Sequence, residues 1–96
     1  MKTKPIYIVT LMENLTNYNN HTVAWFYDKK DAFKVLNQNS CDLNEHLYEY
    51  AVVEKLHEGI YPVDMKPQWF KWDEDKEKYF KIGTPESKKR ICAFYG

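Results

Sequence analysis

Directly after Pro5 the chain runs Ile6-Tyr7-Ile8-Val9-Thr10-Leu11-Met12, a stretch that is β-branched, aromatic or aliphatic at both odd and even positions. A strand wetted on one face alternates polar with apolar residues, so this run predicts a central strand covered on both faces. The remaining residues must supply its neighbours and its covers. With 96 residues and 44% hydrophobic composition there is material for one core only, and residues 1–96 read as a single small domain. Sixteen aromatic side chains (eight Tyr, five Phe, three Trp) give enough bulk to order such a domain.

The segments on either side of the second strand have distinct chemistry. Residues 13–21 are rich in Asn, whose side chain bonds nearby backbone and competes with regular structure, so they read as a loop. Thr22 to Tyr27 is again β-rich and close enough to the first strand to pair with it antiparallel. Asp28 is placed as an N-cap, with Asp31 in the first turn of a helix over 29–37 whose apolar face is Ala32, Phe33, Val35 and Leu36. Asn37 to Ser40 ends it.

Residues 43–56 fit two patterns. Leu43, Leu47, Tyr50 and Ala51 make a helical stripe, while Tyr48 to Glu54 is strand-like in composition; the β-branched and aromatic density selects a strand over 47–56. Gly59 and Pro62 bracket a turn, and Pro67 closes a loop. Residues 69–72 and 78–82 read as a hairpin, with four or five loop residues because the turn holds neither Gly nor Asn. Thr84-Pro85-Glu86 has the character of a helix start, and that helix is short because Ile91, Ala93 and Tyr95 alternate. The expected class is α+β: an antiparallel sheet in the order β-β-α-β followed by a hairpin, with one main helix packed on one face.

Charge and cysteine usage exclude several partners. Fourteen basic residues balance fourteen acidic ones, and Arg90 is the single arginine, so no field or bidentate grip favours nucleic acid or anionic lipid. Cys41 and Cys92 have neither disulfide-scaffold density nor zinc-ribbon spacing, which suits a reducing compartment. No run approaches a membrane span or an export signal, and the expectation is a soluble, cytoplasmic protein.

The chemistry of catalysis is equally sparse. His21, His46, His57, Cys41 and Cys92 show no paired metal-ligand spacing. Asp73, Asp75 and Glu77 begin like a calcium loop, yet its turn glycine and closing glutamate are replaced by Lys78 and Thr84. Three glycines, at 59, 83 and 96, cannot build a phosphate cradle, and neither Ser40, Ser87 nor the cysteines sit in a nucleophile motif. The sequence predicts no enzyme, no metal and no cofactor.

What rises above this background is aromatic density. Tyr61, Trp69, Phe70, Trp72, Tyr79 and Phe80 are interleaved with lysines, and residues 64–81 hold as many acids as lysines. Simple core filling accounts for part of the set. Strand alternation separates Trp69 and Lys71 from Phe70 and Trp72, and one helix covers only one sheet face well. An exposed indole at 69 or 72 is therefore expected, in an interface made of Trp69, Trp72, Phe70, Tyr79, Lys71 and Lys78. Two functions suit it: binding a protein partner, or sequestering a nucleotide by ring stacking. The charge balance favours the first. An uncovered strand edge or apolar patch would further make the chain a homodimer.

The segments Ile6–Val9, Trp25-Phe-Tyr-Asp-Lys-Lys-Asp-Ala32 and Tyr48-Glu-Tyr-Ala-Val-Val-Glu-Lys55 together resemble small uncharacterised proteins of low-GC Gram-positive bacteria and their phages. The resemblance covers about half the chain and implies the β-β-α-β order, without assigning site residues. It also implies a mobile-element setting, in which small proteins bind and block host machinery, for example a CRISPR effector. The cysteine and histidine pattern yields a first testable outcome: neither a chelator nor a reductant lowers the melting temperature. A fall of several degrees would reveal a structural metal or disulfide, since losing either costs about 2–5 kcal/mol or more.

Overall fold

The computed structural model describes residues 4–14, 20–45, 48–58 and 67–83. Strands β1 (Ile6–Met12), β2 (Asn20–Phe26), β3 (Tyr50–Leu56), β4 (Gln68–Asp73) and β5 (Lys78–Ile82) form one antiparallel sheet in the order β2-β1-β3-β4-β5. Helix α1 (Lys29–Asn37) connects β2 to β3 and packs on the sheet. The fold class is thus α+β, with the element order read from the sequence.

Local chemistry explains most boundaries. The Asp28 backbone is extended, and its carboxylate accepts a hydrogen bond from the Lys30 amide at 2.9 Å, which caps α1. The helix stops where Asn39 turns left-handed (φ 47°), a conformation that asparagine tolerates better than most residues. The ambiguous segment resolves as strand from Tyr50 to Leu56, with Tyr48 and Glu49 ahead of it rather than in it. β2 begins at Asn20, inside the stretch read as loop, because Met12, Leu11 and Thr10 pair with Asn20, His21 and Thr22. The turn at 59–62, the helix start at 84–86 and the alternation at 91–95 fall outside the described residues.

Both β2 and β3 run antiparallel to β1, so they are parallel to each other with β1 between them. The crossover through α1 therefore carries the chain across β1. On the helix side, Val9, Leu11, Ala51, Val53, Phe70 and Tyr79 bury against Ala32 and Leu36, and the Phe33 ring meets Phe70 edge to face at 5.1 Å.

The opposite face corrects an expectation. It carries no described helix, yet Ile8, Thr10, Met12, Val52, Glu54 and Trp69 on it are all buried, with Tyr50 and Ile82 packed against Met12, Val52 and Trp69. The two-sided apolar pattern is thus realised from Ile8 to Met12, with Ile6 and Tyr7 half-buried, and Trp69 is core at 1% exposure rather than a surface anchor. Truncating Trp69 to Ala should cost about 3–5 kcal/mol in urea unfolding. Its indole N–H is buried with no acceptor among the described residues, so Trp69→Phe should cost much less. A loss below about 1 kcal/mol for the alanine variant would show that the ring is not core.

Candidate interaction surface

The 68–82 hairpin, where the sequence placed the interface, is built for anchoring. The Asp73 carboxylate accepts from the Asp75 and Lys76 amides at 3.0 and 3.2 Å, and Glu77 closes the four-residue loop with a left-handed φ of 53°. Phe70 and Tyr79 are buried alongside Trp69, and Trp72 is half-buried with its ring edge to face against Tyr79 at 5.1 Å. The expected exposed indole is absent, since neither Trp69 nor Trp72 presents an open ring. Lys71 and Lys78 are half-buried, and Lys71 lies 3.8 Å from Glu49 and over the Tyr50 ring. Such an exposed ion pair adds little stability.

The strongest polar feature of this region is internal. The Tyr48 carbonyl accepts hydrogen bonds from the Tyr79 hydroxyl and from Asn44 Nδ2, each at 2.7 Å, while Tyr48 N–H donates to the Asn44 carbonyl at 3.1 Å. Asn44 Nδ2 also lies 3.4 Å from the Tyr79 oxygen, and His21 Nδ1 is 3.3 Å from the Tyr48 hydroxyl. These contacts tie the connection after α1 to β5 and β2. Burial pushes the Tyr79 phenol up to about 12, against the opposing hydrogen bond from Asn44.

The open aromatic rings lie elsewhere. Trp25 is 54% exposed and Tyr27 62%, and their rings stack edge to face at 5.2 Å. Register places them: Ile8 pairs with Trp25 across β1 and β2, and Ile6 pairs with Leu56 across β1 and β3. Trp25 therefore shares the face opposite α1 with Ile6 and Leu56. Beside them a surface groove of about 480 Å³ is lined by Ile6, Tyr27 and Leu56, with Lys4, His57 and Glu58. Clustered indole and phenol rings beside an apolar groove with polar neighbours are the composition of interface anchors.

Sequence reasoning placed Trp25 and Tyr27 on a strand without recognising them as surface. The available signal was that Thr22 to Tyr27 contains no charge and no partner on its outer side in a β-hairpin reading. Among the described residues Phe80, on β5, is the other large exposed apolar residue, at the far edge of the sheet. Among the described residues no three His, Cys, Asp or Glu side chains converge as a metal site. No helix among them is long and apolar enough to cross a membrane. Compared with known protein families, with curated proteins and with solved structures, the chain gives no significant match.

The Tyr79 phenol supplies a pH signature. Its folded-state pKa lies above the ordinary value of 10, so the stability it contributes is complete below pH 10 and is lost as pH rises through 12. Wild-type protein should lose about 2 kcal/mol more than Tyr79→Phe between pH 9 and 12, because ionising the phenol in the core is what the phenylalanine avoids. Parallel urea titrations check this, and identical pH profiles would refute a buried, hydrogen-bonded Tyr79.

Proposed function

We propose that this chain is a small non-enzymatic protein-binding module whose anchors are Trp25 and Tyr27. The observation that carries the reading is the pair of stacked, open rings beside the Ile6/Leu56 groove. Rings already packed against each other lose little freedom on binding, and large amphipathic side chains dominate interface energetics. We further propose that the partner belongs to a host defence system such as a CRISPR effector, which the module blocks as a phage or mobile-element inhibitor. What supports that target is the sequence reading alone, in which the strand and helix-start segments resemble small uncharacterised proteins of low-GC Gram-positive bacteria and their phages. A nucleotide ligand draws less support, since among the described residues Lys4 is the single lysine or arginine lining the groove, and phosphates call for several converging donors.

The test is interferometry against a panel of purified CRISPR effector complexes. Trp25→Ala should weaken binding by about 2 kcal/mol, roughly 30-fold, with its melting temperature unchanged because the ring is mostly in solvent. Absence of binding to every complex would overturn the proposed target. Equal affinity of wild type and the Trp25→Ala/Tyr27→Ala variant would overturn the proposed surface.

A further inference from the structure

The two edges of the sheet are chemically unlike. β5 exposes Lys81 and carries Lys78, beside a turn of Glu74, Asp75, Lys76 and Glu77. Charges of this kind are how edge strands repel an incoming strand. β2, Asn-His-Thr-Val-Ala-Trp-Phe, contains no Lys, Arg, Asp, Glu or Pro. Both of its sides are apolar as well. The Trp25 and Tyr27 rings stand on one side, and on the other a groove of about 230 Å³ is lined by Val23, Ala24, Phe26, Val35 and Leu43 with Ser40 and Cys41.

Among the described residues no strand pairs with the outer edge of β2, and an open strand edge specifies another strand as its occupant, because only extended backbone satisfies a row of N–H and C=O groups. Within β2 there is one irregularity, a bulge at Val23: Ala24 pairs with Val9, but Thr22 pairs with the next residue, Thr10. The bulge divides β2 into two arms and reverses the side on which odd and even residues fall. His21 reaches Tyr48 on the helix side, where Val23, Ala24 and Phe26 also pack. Thr22, whose hydroxyl lies 3.1 Å from that of Thr10, and Trp25, opposite Ile8, are on the other side.

We propose that β2 pairs antiparallel with β2 of a second copy, about a two-fold axis passing between Val23 and Ala24. Residues directly opposite each other in an antiparallel pair point to the same face. With the axis there, Thr22 faces Trp25 of the second copy, His21 faces its Phe26, and Val23 faces its Ala24. Every pair matches in side. Moving the axis by half a residue sets helix-side residues of one arm against opposite-side residues of the other. The bulge that would disturb an arbitrary strand is thus accommodated by the same bulge in a second copy.

Charge poses no obstacle, since each copy has a formal net charge of zero. The pairing is isologous and closes. It produces one ten-stranded sheet whose outer edges are the two lysine-bearing β5 strands. Both helices lie on one side, and both Trp25–Tyr27 pairs lie on the other. This inference rests on the strand edge and stands apart from the identity of any partner.

Light scattering on the full chain at rising micromolar concentration should give twice the 11.6 kDa monomer mass. Thr22→Lys, at an exposed position, should return the monomer mass with an unchanged circular dichroism spectrum. Trp25→Glu should do the same. Combining Thr22→Lys with Trp25→Glu should restore the doubled mass, because each lysine then faces a glutamate of the other copy. A wild type that stays monomeric, a Thr22→Lys variant that stays dimeric, or a double variant that stays monomeric would each overturn the proposal. Partner binding by the monomeric Thr22→Lys variant tests the module reading separately.

Discussion

The Tyr48 carbonyl is the fixed point on which the rest of the architecture turns. After α1 the chain must cross β1 and enter the sheet on its far side, and it does so through a connection that is mostly irregular. Buried irregular backbone needs partners for its polar groups. Tyr79 and Asn44 both donate to this one carbonyl, and the Trp72 amide donates to the Glu49 carbonyl at 2.8 Å. Those bonds set where β3 begins, and hence the register of β3 against β1 and β4.

The same connection holds left-handed backbone at Asn39, Cys41, Asp42 and Glu45, with φ between 47° and 56°. Such conformations cost non-glycine residues about 1 kcal/mol or more each. The Asn39 side chain offsets part of that cost, accepting from the Asn44 amide at 2.9 Å and donating to Asp42 at 3.2 Å. A tightly turned connection is what lets Asn44 reach the core and meet Tyr48 and Tyr79.

Placing β3 next to β1 has a consequence for the surface. β1 becomes interior, with Tyr50, Ala51, Val52 and Val53 on one side and β2 on the other, while β2 is the edge strand among the described residues. The hairpin formed by β4 and β5 extends the sheet beyond β3, and its Trp69, Phe70 and Tyr79 rings pack inward while Phe80 stays exposed at the far edge. Trp69 and Tyr79 are consumed as packing on opposite faces, and Trp25 and Tyr27, at the margin, are left to solvent. Their exposure follows from strand order, and the proposed functional surface follows from their exposure.

The sequence by itself determined what each segment would be. Parity named 6–12 as a two-sided strand, the Asp28 carboxylate and apolar spacing named the helix at 29–37, β-branched and aromatic density named a strand over 47–56 that the structure begins at Tyr50, and the lack of Gly or Asn in the turn named a hairpin loop of four or five residues, of which the structure has four. These are properties of neighbours in the chain, and local physics is enough to decide them. Alternation also separated Trp69 from Phe70 and Trp72. What it could not supply was which face was wet or which strand was at an edge, because both depend on pairing between residues far apart in sequence. Tertiary structure alone decided that β1 sits between β2 and β3, that both faces around Trp69 are dry, and that the open rings are Trp25 and Tyr27. A strand's composition records how apolar its surroundings are, whereas its place in the sheet is set by the partners that the crossover and the Tyr48 contacts bring to it.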